Sequence, residues 1–331
     1  MNETHKARAF YESALVWDNH TCLPIDRIAE FAPELRRFSR SGVDVVSVNI
    51  GDSNIALETQ MRVVAELRRF ILAHPNEFVL VSTATDIAAA KVEGKLAIFF
   101  DVEGGYAMGD QLSILQLYAD LGVRWMLLVY NTKNRIGSGV HDSEDEGLSA
   151  FGRAVIKEMD RVGLIKCLSH TGYRTARDVL EATGKPVIFS HSNPRALRDH
   201  PRNIPDDLIR ACAKTGGVVC VNGVGIFLGD NDIASETLAR HVDHIVQLVG
   251  ADHAGLGLDY IFDQSELDAN LAANPDIWPA EWGYRPGIKF AAPEQLPELT
   301  ELLLRRYGEG DVRKILGENL LRVAEAVWPP H

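Results

Sequence analysis

Short runs of Val, Ile and Leu alternate along the chain with longer stretches in which apolar residues recur at helical spacing. The runs cover residues 14–18, 43–50, 78–82, 96–102, 124–130, 164–169, 186–190, 217–222 and 254–259. Helical spacing predicts helices over 25–39, 55–73, 112–121, 148–162, 176–183, 206–214 and 235–249. Strands this uniformly apolar are buried on both faces, as in a parallel sheet. Continuous β–α alternation predicts an α/β fold, a (β/α)8 TIM-like barrel, with a doubly wound open sheet as the alternative. The nine runs exceed the eight a barrel uses, so one is an edge strand or no strand. No linker divides the chain, and we expect residues 1–331 to form a single domain.

One stretch breaks the rhythm. Residues 262–295 are rich in Pro, Asn and aromatic residues, among them Trp278, Trp282 and Tyr284. A connection this long is commonly functional. It follows the last apolar run, so in a barrel it overhangs the C-terminal mouth. A lid, an oligomer contact and a surface loop with its own apolar cluster all fit.

Composition narrows the function classes. The 331 residues carry a formal charge of −12. An acidic surface repels phosphate backbones and anionic lipid, which argues against nucleic acid or a membrane surface as partner. No apolar stretch is long enough to span a bilayer. The first residues show no secretory h-region. Cys22, Cys167, Cys212 and Cys220 have no CxxC spacing, and we expect a cytoplasmic protein with reduced thiols.

The candidate chemistry lies at the C-terminal ends of the runs. His20, Glu103, His170, His191 and Asp259 each follow a different run. In a parallel barrel all these ends meet at one mouth, where active sites sit. Imidazole and carboxylate are the ligand set for zinc and similar divalent ions. Five ligands exceed one tetrahedral zinc, and a carboxylate such as Glu103 can bridge two ions, so one or two Zn2+ are expected. Each residue alone has a plainer reading, such as a rim histidine or a helix-capping Asp259. Together they would need five coincidences at corresponding places. Alternation along the first strand turns His20 toward the mouth and puts Asp18 deeper. There Asp18 either orients an imidazole or is a buried carboxylate held by backbone donors.

The residues resemble the membrane dipeptidase (renal dipeptidase) family of zinc hydrolases, within the amidohydrolase-like barrels, with the look of a divergent bacterial-type member. The resemblance rests on Asp18-Asn19-His20, Val102-Glu103-Gly104-Gly105, Leu121-Gly122-Val123-Arg124 and Leu168-Ser169-His170. It continues through Val187-Ile188-Phe189-Ser190-His191-Ser192, Arg202-Asn203-Ile204-Pro205-Asp206-Asp207, Gly255-Leu256-Gly257-Leu258-Asp259 and Gly317-Glu318-Asn319-Leu320-Leu321-Arg322-Val323. It implies that His20 binds one metal, that Glu103 bridges two, and that His170 and His191 bind the second. It implies that Asp259 sits at the first metal and handles the proton. Arg202 matches the position that holds a substrate carboxylate, and a bidentate guanidinium suits that task. A homodimer and a dipeptide substrate follow from the resemblance alone.

Two departures stand out. The family carries a metal-binding Asp two residues after its first-strand His, and here that residue is Cys22. Cys22 is either a thiolate ligand or a small buried residue. Tyr130 stands where the family places a substrate-contacting His. It keeps a donor for the substrate but not the charge. The expected activity is therefore metal-dependent hydrolysis of a dipeptide or similar small amide bearing a carboxylate. The alternatives are a non-peptide C–N substrate at a one-metal site, and a binding protein that kept the fold.

Overall fold

The computed structural model describes residues 3–329 except 53, 54 and 276, so the two ends of the expected 1–331 domain lie outside the described residues. Its strands are β1 (Trp17–Cys22), β2 (Val45–Asp52), β3 (Phe78–Leu80), β4 (Leu96–Glu103) and β5 (Val123–Leu127). They continue with β6 (Ile165–Cys167), β7 (Val187–Phe189), β8 (Val218–Val221), β9 (Ala254–Leu256) and β10 (Tyr260–Ile261). The sheet runs β10-β1-β2-β4-β5-β6-β7-β8-β9, and every pairing is parallel. Its two ends are joined by Gly257–Asp259, and the Asp259 amide donates to the His20 carbonyl at 3.1 Å. β9 and β10 are thus the halves of one interrupted strand, and the sheet closes as a TIM-like barrel.

The surplus ninth run is β3. It pairs with the lower half of β4, at Leu96, Ala97 and Ile98, while β5 takes the upper half from Phe100 onward. Several strands are shorter than their apolar runs. β6 and β7 end two or three residues before His170 and His191. β1 is shifted the other way. It begins at Trp17 and extends past the apolar run 14–18 through His20 to Cys22.

The expected helix over 25–39 is four short pieces, Ile25–Arg27, Ile28–Phe31, Ala32–Leu35 and Arg36–Arg40. Pro33 lacks an N–H and disfavours helical geometry in the residue before it, so the ladder breaks there. Helices over Ala84–Val92, Leu296–Leu304 and Asn319–Val327 were not foreseen. The first is fixed by a capping box between Thr83 and Asp86. No helix among the described residues is long and apolar enough to cross a membrane.

Period-2 alternation divides each strand between two environments. On β4, Ile98, Phe100 and Val102 join the large core under the surrounding helices. Ala97 and Phe99 join an inner cluster with Val45, Trp125, Ile165, Ile188 and Val218. The helix Asn319–Val327 and Trp328 close the floor, with the Trp328 ring 5.3 Å from Phe99 and 6.0 Å from Trp17. Truncating Phe99 to Ala there costs about 3–5 kcal/mol, because nothing nearby can collapse into the space. Above this floor the inward face turns polar, and Asp101 and Glu103 follow Ala97 and Phe99 on the same side of β4.

Candidate active site

The inward polar layer converges on Glu103. Its Oε1 is buried and has no hydrogen-bond partner. Around that atom lie three imidazole Nε2 atoms, from His191 at 3.3 Å, His20 at 3.4 Å and His170 at 3.6 Å. The Nε2 atoms of His170 and His191 stand 2.9 Å apart. Two lone pairs at that distance require a shared proton or a cation between them. Burial pushes the pKa of both rings well below the usual histidine range, and the nearby Arg202 pushes the same way.

Each ring is held from behind. His170 Nδ1 bonds Asn131 Oδ1 at 2.6 Å, and His191 Nδ1 bonds Ser190 Oγ at 2.8 Å. His20 Nδ1 faces Asp101 Oδ2 at 3.3 Å. Asp101 in turn accepts from Ser47 Oγ at 2.5 Å and Asn49 Nδ2 at 3.0 Å. With Nδ1 engaged in each case, Nε2 is the atom offered to the cavity, the arrangement seen for metal-ligating histidines. Burial opposes a charge on His20, but Glu103 and Asp101 outweigh it and hold its pKa well above the usual value.

Asp259 completes the group. One oxygen lies 3.5 Å from His20 Nε2, and the other accepts from Asn222 Nδ2 at 3.0 Å. Burial pushes its pKa up to about 6. Asn131, His170 and Asp259 all have left-handed backbone, with φ of 56°, 63° and 58°. Side chains other than glycine enter that region at a cost, and Asn, Asp and His tolerate it best. At these positions the turn is what aims a side chain inward just past a strand end.

Two tight groups of ligand atoms result, His20 with Glu103 and His191, and His20 with Cys22 and Asp259. Within each group the atoms lie within 4.8 Å of one another. An orphaned carboxylate oxygen ringed by imidazole nitrogens fits a divalent cation.

Cys22 is half-buried, with Sγ 3.5 Å from His20 Nε2. The two do share a side of β1, as alternation implies. Asp18 does not orient an imidazole. A register shift with β2 lies between Asp18 and Thr21, and the Asp18 carboxylate accepts from the Leu258 amide at 2.8 Å. Asp101 has the imidazole-orienting place instead. The sequence contained the signal for it, because Asp101 and Glu103 are two apart on one strand. Asn131 and Asn222 were also missed in their positioning roles, since their partners come from other strands.

Tyr130 stacks on His170, with ring centroids 4.3 Å apart and planes at 22°. Arg202 is 1% exposed and lies behind His191, donating from Nη2 to the His191 carbonyl at 3.2 Å. Its Nε is buried and has no hydrogen-bond partner. Its guanidinium lies 5.3 Å from the Phe227 ring centroid.

The 262–295 stretch does overhang the mouth. It contains a helix, Gln264–Ala273, capped by the Asp263 carboxylate, and adds Tyr284, Ile288 and Leu271 to an apolar cluster with Val224, Ile226 and Phe227. Beneath it lies a cavity of about 350 Å³ reaching from Glu103, His170 and Asp259 to Trp278, Ile288 and Phe290.

Three comparisons bear on this geometry. The family described as membrane dipeptidase (peptidase family M19) matches residues 14–268. An uncharacterised dipeptidase of Schizosaccharomyces pombe is 38% identical over 201 residues, covering 58% of this chain and 48% of that protein. The chain thus spans about half the length of this curated relative. Among solved structures, an amidohydrolase from Pseudomonas aeruginosa superposes with a TM-score of 0.84 and 28% identity, over 97% of this chain and 99% of that one. A metallo peptidase from Rhodobacter sphaeroides, liganded with a phosphinate mimic of the dipeptide L-Ala-D-Ala, superposes with a TM-score of 0.77 and 22% identity, over 95% and 99%. The match from 14 to 268 takes in the strands that carry every ring and carboxylate around Glu103, and on it the chain belongs to the membrane dipeptidase family, peptidase family M19.

Proposed function

We propose that this chain is a metal-dependent hydrolase cleaving a dipeptide, or a similar small amide that carries a free carboxylate. The observation that carries the proposal is the partnerless Glu103 oxygen ringed by three imidazole nitrogens. His20, Glu103, His170, His191 and Asp259 would hold zinc, as one or two ions. A divalent ion bound there supplies Lewis acidity, which makes water nucleophilic at neutral pH and polarises a carbonyl.

The chain's own groups do the rest. Asp259 takes the proton of the attacking water and returns it to the leaving amine. Asn222 holds its second oxygen, so the first faces the reacting atoms. The Tyr130 hydroxyl steadies negative charge developing on the carbonyl oxygen. Arg202, with its free Nε, pairs with the substrate carboxylate. The phosphinate dipeptide mimic held by the Rhodobacter sphaeroides relative supports starting with dipeptides. We place all of this in one domain over 1–331, in a homodimer, and in the cytoplasm, where the four free cysteines stay reduced.

Cys22 supports a second reading. It replaces a ligating carboxylate, which favours a one-metal site acting on a non-peptide C–N bond, or a binding protein with impaired chemistry. Metal content and dipeptide hydrolysis, measured together on wild type, His170→Ala and His191→Ala, separate these. We expect both variants to stay folded and to lose metal and activity together. Full activity in either would overturn the ligand assignment. Tight metal without hydrolysis of any amide would favour the binding protein.

A further inference from the structure

The cavity under the 262–295 stretch is more than a passage to Glu103. Six aromatic side chains line it, Tyr130, Phe227, Phe262, Trp278, Tyr284 and Phe290. Several form a continuous wall starting at a metal-facing ring. Tyr130 stacks on His170 at 4.3 Å, Trp278 meets Tyr130 at 6.2 Å, Tyr284 meets Trp278 at 5.1 Å, and Phe227 meets Tyr284 at 6.1 Å. Ile55, Ile261, Leu267, Leu271 and Ile288 fill the gaps in the lining. A volume of about 350 Å³ with such walls lies in the range that encloses ligands much larger than two methyl side chains.

The charged groups on the same cavity are one-sided. Away from the ring of candidate ligands they are Asp26, Asp52, Asp263 and Glu266, of which Asp263 and Glu266 pair with Arg27, and among the described residues no Lys or Arg lines the cavity. An apolar arm placed here is removed from water against aromatic faces. A carboxylate-bearing arm laid along this wall would give up its hydration against apolar faces, with no cation on the described lining to replace it.

We propose that this site selects substrates by a bulky, uncharged apolar arm, aromatic or branched aliphatic, which lies between Tyr130 and the lid residues Trp278 and Ile288. The inference rests on the hydrolase reading for its chemistry and on the cavity wall for its selectivity. It adds a preference that the carboxylate clamp at Arg202 does not supply. Small dipeptides satisfy the clamp and leave the aromatic wall wet.

The test is a substrate series on the zinc-loaded protein, Ala-Ala, Phe-Ala, Ala-Phe, Leu-Ala, Ala-Leu, Glu-Ala and Ala-Glu. Both orders are included because either substituent can face the lid. We expect kcat/KM for the better Phe dipeptide to exceed that for Ala-Ala by about 10- to 100-fold. Both Glu dipeptides should fall below Ala-Ala. In Trp278→Ala the Phe-to-Ala ratio should shrink several-fold toward one. A wild-type ratio at or below one, or Glu dipeptides matching Phe dipeptides, would overturn the proposal. If no dipeptide is cleaved, the dipeptide part of the hydrolase reading fails by itself. Calorimetry with phosphinate mimics bearing Phe or Ala arms then still decides selectivity, with tenfold tighter binding of the Phe mimic supporting it and equal binding ending it.

Discussion

The Asp101 carboxylate faces His20 Nδ1 at 3.3 Å from a position two residues before Glu103 on the same strand face. One strand therefore supplies both the oxygen at the centre of the imidazole ring and the group that aims one of those imidazoles at it. Ser47 and Asn49 donate to the same carboxylate and lock its orientation. Asp101→Asn keeps the shape and replaces an acceptor oxygen by a donor. We expect metal affinity to drop about 10- to 100-fold, with the melting temperature within a few degrees of wild type. Chelator competition measures this, and unchanged affinity would remove Asp101 from its positioning role.

The Cys22 sulfur groups with His20 and Asp259. A sulfur ligand leaves a spectral mark that oxygen does not. Cobalt-loaded wild type should show a sulfur-to-cobalt charge-transfer band in the near ultraviolet, and Cys22→Asp should lack it. Identical spectra would make Cys22 a packing residue and leave His20 and Asp259 with one ligand fewer.

Arg202 offers a buried N–H with no protein acceptor. Hydrogen bonds to charged groups contribute about 1.5–3 kcal/mol, so Arg202→Ala should raise KM for carboxylate-bearing dipeptides by roughly 10- to 100-fold. Amidated counterparts, which lack the anion, should change far less. Equal rises for both would limit Arg202 to its contacts with Phe227 and the His191 carbonyl.

Gly257 passes so near the strand leading to His191 that a Cβ added there would stand 2.0 Å from the Ser190 carbonyl oxygen. The Ser190 carbonyl is backbone and cannot swing aside as a side chain could. Gly257→Ala should cost about 3 kcal/mol or more in urea unfolding and should loosen metal through His191. A variant of wild-type stability would show that the segments following β7 and β9 can move apart freely.

His241 is buried and sits outside the site, with Nε2 bonded to the Leu228 carbonyl at 2.9 Å. Burial lowers its pKa from 6.5 to about 4, and neighbouring Arg240 and His244 push the same way. The unfolded chain therefore binds this proton from pH 6.5 downward, while the folded chain refuses it until about 4. Its contribution is intact above 6.5 and is lost as pH falls through that window, at most about 3 kcal/mol. His241→Gln should flatten the fall in stability between pH 7 and 4 without abolishing it, because His141 and His200 carry the same shift. Urea midpoints across that range check it, and an unaltered slope would show that His241 is already protonated in the fold.

The sequence by itself determined the layer structure and the neighbourhood of the candidate ligands. Uniformly apolar runs such as 96–102 have no second face to give to water, so they had to be parallel strands covered on both sides. In a closed barrel of such strands, His20, Glu103, His170, His191 and Asp259 share one mouth. Local chemistry also marked Cys22 and Tyr130 as departures and residues 262–295 as an overhang. What the tertiary structure decided was everything that depends on a partner from another strand. The apolar run stops at Asp18, yet β1 continues to Cys22, because a barrel buries polar side chains at its mouth by giving them each other. Asp101 faces His20, Asn131 faces His170 and Asn222 faces Asp259 across gaps of many residues, and no local periodicity records those pairings. Left-handed turns at Asn131, His170 and Asp259 aim these groups inward, and only the closed sheet supplies the contacts that hold a strained backbone in place.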